Sequence, residues 1–129
     1  MALQPGSLPD GVIAFLRDRH LASLTTLRAD GSPHVVPVGF SYDDSDRTVR
    51  IITFSPSQKA ANAARGGRAA VSQVDGGRWL TLEGTVTATA DPARVQKAVD
   101  GYAARYGQPG ERDNRVAIEI VVDRILGRA

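Results

Sequence analysis

Residues 51–62 read IITFSPSQKAAN: an apolar run, Ile51–Phe54, breaks at Ser55-Pro56 and gives way to Ser57-Gln58-Lys59 and an alanine-rich segment. The first four residues are β-branched or aromatic, which suits a strand, and the alanines that follow suit a short helix. Such a strand-to-helix junction leaves unpaired N–H groups and the positive end of the helix dipole at the turn, and both attract anions. The hydroxyls of Ser55 and Ser57, with the Lys59 ammonium, make the junction a candidate phosphate cradle. The plainer alternative is that Ser57 only caps the helix and Lys59 is a solvated side chain.

Upstream of this stretch, Thr48–Phe54 forms one strand, entered from the polar turn Asp43–Asp46 and ended by Pro56. Before it, Leu21–Arg28 and Pro33–Tyr42 read as a hairpin across Asp30-Gly31, a pair that suits the positive φ angles of a tight turn. Pro37 withdraws a ladder donor from the return strand and Gly39 withdraws a side chain, so Pro37-Val38-Gly39 belongs at an edge or bulge. A flat ligand could approach the backbone there; a plain edge bulge is the alternative. Pro9-Asp10 starts a helix over Asp10–Arg19 with Val12, Ile13, Phe15 and Leu16 on its apolar face, and residues 1–8 read as a loose arm.

Downstream, the helix Ser57–Arg65 stops at Gly66-Gly67 and Ala69–Val74 forms the next strand. Gly76-Gly77 turns the chain into a long strand, Arg78–Ala90, with Leu80, Leu82, Gly84 and Val86 on one face. Gly84 in mid-strand permits the bend that closes a small barrel. Asp91-Pro92 caps and starts a helix running to Tyr106, with Val95, Val99, Tyr102 and Tyr106 inward, and Gly107 stops it. Gln108–Asn114 is a loop, and a last strand runs from Val116 towards Leu126-Gly127. Six strands joined by tight turns, with three helices, predict a mainly β fold: a closed or nearly closed antiparallel barrel, which removes exposed sheet edges.

At 129 residues the chain is expected to form one domain over 1–129. It has no cysteine, which excludes disulfides, thiolate metal sites and cysteine nucleophiles. No run approaches the roughly 18 apolar residues of a membrane span, and MALQPGSLPDG lacks the blocks of a secretory signal, so a cytoplasmic location is expected. The net charge of +2 is dispersed among acidic residues, without the basic block that tracks a nucleic-acid backbone. Two histidines, His20 and His34, are too few and too far apart in sequence for a metal centre.

Three groups of residues carry a resemblance: Leu24-Thr25-Thr26-Leu27 with Asp30-Gly31 and Pro33; Ser57-Gln58-Lys59 with Asn62; and Trp79-Leu80-Thr81-Leu82-Glu83-Gly84. In order and spacing they resemble the split β-barrel flavin and deazaflavin oxidoreductases, relatives of pyridoxamine 5′-phosphate oxidase. The likeness extends from about Asp10 to Gly127 and is strongest to the actinobacterial branch that uses the deazaflavin F420, its biliverdin reductases included.

The resemblance implies a homodimer, with each cofactor site built from both subunits. It assigns Ser57 and Lys59 to the cofactor phosphate, with Ser55 and Asn62 nearby, and lays the tricyclic ring along Pro37, Val38 and Gly39. It brings Arg78 and Trp79 to the pocket from the partner chain. Several relatives carry a basic residue at the position of Ser57, so here Lys59 is left as the main fixed charge. The activity implied is hydride transfer from reduced F420 to a conjugated small molecule such as biliverdin. An FMN-dependent oxidoreductase of the same fold, and a non-catalytic carrier of a cofactor or haem, are the rival readings.

Overall fold

The computed structural model describes residues 3–129; Met1 and Ala2, at the tip of the expected arm, lie outside the described residues. In chain order the elements are α1 (Asp10–Arg17), β1 (Ala22–Leu27), β2 (Pro33–Val38), β3 (Ser41–Asp43), β4 (Thr48–Phe54), α2 (Gln58–Ala64), β5 (Arg68–Asp75), β6 (Arg78–Thr89), α3 (Pro92–Tyr106) and β7 (Arg115–Arg128). All seven strands belong to one antiparallel sheet in the order β2-β1-β5-β6-β7-β4-β3.

The sequence predicts six strands and the protein has seven, because Pro33–Tyr42 is not one strand. It divides at Gly39-Phe40 into β2 and β3, and these lie at opposite edges of the sheet. The strip is therefore rolled into a barrel whose two rims are joined by the covalent chain rather than by a ladder. This is the split barrel. Pro37 sits on the edge strand β2, opposite Ser23, where its missing N–H costs no ladder bond.

The second bend is at Gly84, where the register between β6 and β7 shifts. A Cβ at Gly84 would stand 2.0 Å from the Val121 carbonyl oxygen, so only glycine allows the backbones to come this close. Leu24, Phe40, Val71, Leu80, Leu82, Ile118 and Ile120 are fully enclosed inside the roll, with Phe15 of α1 closing one end. Burial of each such side chain stabilises by about 1.5–3 kcal/mol. Where α3 covers the outside of β4 and β7, Ala117 and Glu119 are buried as well, so β7 loses its polar face there. Glu119 is paired with Arg94 of α3.

α1 ends two residues earlier than the expected Arg19, because Asp18 turns extended. α3 begins as read, with Asp91 accepting the Arg94 N–H at 3.1 Å and Pro92 in the first turn. The described part of the expected loose arm is held down. Leu3 bridges Ile125, Leu8 is buried, and Asp44 accepts the N–H groups of Gly6 at 2.8 Å and Leu8 at 3.1 Å.

Candidate functional site

β4 runs into α2 through Ser55-Pro56, whose peptide is cis. Beside this junction an open cleft of about 320 Å³ collects residues from five parts of the chain. One wall is Pro37-Val38-Gly39, where β2 ends and the rims cross. The floor is Ile52, Thr53 and Phe54 of β4; Lys59 of α2 and Tyr102 of α3 flank it, Pro109 and Arg112 come from the loop before β7, and Arg115 is the first residue of β7.

Why the loop reaches the cleft is set by pairing. β4 and β7 are antiparallel neighbours with Phe54 opposite Arg115, so the residues before β7 must pass the end of β4. Asn114 fastens them there: its Nδ2 donates to the Ser55 carbonyl at 2.8 Å, and its carbonyl accepts the Ser55 N–H at 2.9 Å. Arg112 stacks its guanidinium 4.7 Å from the centre of the Phe54 ring, and Arg115 donates to the Gly110 carbonyl at 2.7 Å. Lys59, Arg112 and Arg115 thus bring three cations to a cleft that no carboxylate among the described residues lines. Such a site attracts phosphate or carboxylate groups, and the guanidinium groups suit their planar oxygen pairs.

The expected site residues separate into three sets. Pro37, Val38, Gly39 and Lys59 meet in the cleft. Ser55, Ser57 and Asn62 do not line it. The Ser57 hydroxyl accepts the Ala60 N–H at 3.2 Å and shares a hydrogen bond with the Thr53 hydroxyl at 3.1 Å, so it caps α2 from within. Asn62 is buried between α2 and β1: its Nδ2 donates to the Thr26 hydroxyl at 3.0 Å, and its Oδ1 accepts from Gln58 at 2.7 Å and Arg65 at 2.9 Å. Ser55 lies on the opposite side of α2, in a shallow groove with Ser57 and the helix alanines.

Arg78 and Trp79 stand at the β5–β6 turn, outside the cleft of their own chain. Arg78 covers the Phe15 ring at 4.5 Å, and Trp79 is half-exposed on the outer face of the sheet. Sequence reading missed Tyr102, Arg112 and Arg115. The signal for the arginines was available only through the pairing of β4 with β7, which places the loop Gln108–Asn114 beside the 51–62 junction.

The sequence pattern of the pyridoxamine 5′-phosphate oxidase family matches residues 8–129. The chain belongs to that family. A relative, the F420H(2)-dependent biliverdin reductase of Mycobacterium tuberculosis (strain CDC 1551 / Oshkosh), is 52% identical over 122 residues, covering 95% of this chain and 89% of the relative. Among solved structures, one described as an F420 reductase is 26% identical, with a TM-score of 0.71 over 92% of this chain and 98% of the other. The Mycobacterium tuberculosis protein Rv2991 superposes with a TM-score of 0.77 at 22% identity, over 95% of this chain and 85% of the other, and so shares the fold. Both solved structures share this fold, and the split between β2 and β3 is where this chain opens its cationic cleft.

Proposed function

We propose that this protein is an F420-dependent reductase that passes a hydride to a conjugated small molecule, with biliverdin as the first substrate to test. The cleft supports the reading. A cofactor with a planar ring, a phosphate and terminal carboxylates needs a flat wall with cations beside it. The site supplies Pro37-Val38-Gly39 as the wall and Lys59, Arg112 and Arg115 as the cations. The single observation that carries the proposal is this convergence, in a chain 52% identical to an F420H(2)-dependent biliverdin reductase.

When bound, the reduced deazaflavin supplies the hydride. The chain's own residues bind and orient. Lys59, held on the first turn of α2, carries a fixed positive charge to the phosphate. Arg112 and Arg115 offer forked donors to the remaining anionic groups, whether of cofactor or substrate. Phe54, Ile52 and the Tyr102 ring keep the ring-bearing part of the cleft apolar and limit water there. Arginine is too basic to serve as the acid.

The working unit is a homodimer. On the outer face of the sheet Leu27, Val35, Val74, Trp79 and Leu126 are all substantially exposed around the small side chains of Ser23, Thr25, Ala70, Ser72 and Thr81. An apolar rim around a low centre suits a second copy of the same surface. It would bring Arg78 and Trp79 towards the neighbouring chain's cleft. No helix among the described residues is long and apolar enough to cross a membrane, and a cytoplasmic site of action fits a chain without cysteine.

The test is a fluorescence titration of F420 and FMN side by side on wild type and Lys59→Ala, followed by biliverdin turnover with reduced F420. F420 should bind more tightly than FMN. The substitution should weaken F420 at least tenfold, about 1.4 kcal/mol. Equal affinity for F420 in both proteins removes Lys59 from the site, and tighter FMN binding transfers the reading to flavin chemistry. Light scattering that shows a strict monomer defeats the two-chain site.

A further inference from the structure

Where β2 ends and β3 has not begun, Gly39 and Phe40 belong to no ladder, yet Phe40 is fully buried. Its backbone N–H and C=O must find partners without water. Two consecutive side chains at the end of α3 provide them. The Tyr106 hydroxyl accepts the Phe40 N–H at 3.1 Å and donates its own proton to the His20 carbonyl at 2.7 Å. Arg105 donates from Nη1 to the Phe40 carbonyl at 2.8 Å, from Nε to the Asp18 carbonyl at 2.8 Å, and from Nη2 to the Gln73 Oε1. Gln73 is fully buried and passes the restraint on, its Nε2 donating to the Phe15 carbonyl at 2.9 Å. Burial pushes the Tyr106 phenol above its ordinary pKa, so it keeps the proton that His20 receives.

The same helix confines residue 39. A Cβ there would lie 3.0 Å from Tyr106 Cε2 and 3.1 Å from Tyr102 Cε2. The two tyrosine rings sit 4.9 Å apart, and Tyr102 itself lines the cleft. The crossing is thus gripped at both backbone groups of Phe40 and at Gly39, the last residue of the cleft wall.

We propose that Arg105 and Tyr106 are positioning residues of the cofactor cleft: by satisfying the two unladdered groups of Phe40 they fix the height and tilt of the Pro37-Val38-Gly39 wall against which a planar ring rests. The proposal rests on the F420 reading above. A misplacement of this wall by a fraction of an ångström changes ring contact along its whole length, while the core beneath is untouched.

The experiment compares wild type with Tyr106→Phe, Arg105→Met and a core control, Ile120→Val, all well below their melting temperatures. Two quantities are read: hydrogen exchange at the Phe40 amide, and the F420 dissociation constant by fluorescence titration. For Tyr106→Phe and Arg105→Met, exchange at Phe40 should rise at least tenfold with the Ile120 amide unchanged, and the dissociation constant should rise five- to tenfold. Ile120→Val should lower the melting temperature and leave F420 affinity alone. Gly39→Ala, which presses the same helix from the other side, should weaken F420 in the same direction. Affinity within twofold of wild type in both α3 variants, despite faster exchange at Phe40, overturns the proposal and leaves the F420 reading standing. A wild-type protein without F420 affinity overturns both.

Discussion

Replacing Asn62 by alanine isolates what holds α2, and with it Lys59, against the barrel. Asn62 is 2% exposed and Thr26, whose hydroxyl it reaches, is 1% exposed. The substitution removes three hydrogen bonds. Gln58 and Arg65 are exposed and recover partners from water, so those two losses come to about 0.5–1 kcal/mol each. The Thr26 hydroxyl is left stranded at a cost of about 1–3 kcal/mol. The total of roughly 2–5 kcal/mol is a large share of a stability that is typically about 5–15 kcal/mol. At roughly 4 °C per kcal/mol for a chain of this size, the melting temperature should fall by about 8–20 °C. Urea unfolding of wild type, Asn62→Ala, Thr26→Val and the double variant supplies the assay. The cycle should show a coupling of at least about 1 kcal/mol, because each single variant strands the buried partner of the other and only the double variant leaves neither the Thr26 hydroxyl nor the Asn62 amide unpaired. A loss below about 0.5 kcal/mol with additive singles would refute the reasoning and return Asn62 to candidacy as a ligand.

Ser57→Ala should lower stability by about 1 kcal/mol through loss of the α2 cap and change F420 affinity less than twofold; a tenfold loss in titration would restore its assignment to the phosphate. Burial works against ionisation of Asp46, but Arg50 and Lys97 outweigh it and hold the carboxyl below its ordinary value. That stabilisation is present above about pH 4, the unfolded value, and is lost as the pH falls through the depressed folded value. With the side chain 35% exposed the contribution is about 0.5–1 kcal/mol. Asp46→Asn should therefore be slightly less stable at pH 7 and lose less than wild type between pH 5 and 2, as acid unfolding followed by circular dichroism would show. Gly84→Ala drives a methyl into the Val121 carbonyl and should cost more than about 3 kcal/mol or abolish soluble expression; near-native stability would show that the bulge relaxes freely.

Most of the architecture is written in short-range signals. Asp91-Pro92 and Gly107 bound α3 because an acidic cap, a proline and a stop glycine each act within one turn. Gly84 reads as a bend because nothing else explains glycine in a long apolar strand. The division of Pro33–Tyr42 was not legible. Its alternation continues through Gly39, and what breaks it is α3, whose Tyr106 takes the Phe40 N–H from more than sixty residues away. The candidate site follows the same rule. Lys59 and Pro37-Val38-Gly39 were readable from their own neighbourhoods, whereas Arg112 and Arg115 enter through the β4–β7 register. Ser57 and Asn62 carry the right chemistry for a ligand but turn inward, and residue type alone does not say which way a hydroxyl or amide faces.

The crossing at Gly39-Phe40 makes the barrel a clasp rather than a tube. Its two lips are tethered by a pair of residues and by no strand-to-strand pairing, so a guest that settles between them displaces no backbone hydrogen bond. What sets the width of the mouth is the grip of Tyr106 and Arg105 on Phe40, which lies outside every register of the sheet. One scaffold can therefore change the breadth of the molecule it holds by altering what grips the hinge, with no cost to the sheet itself.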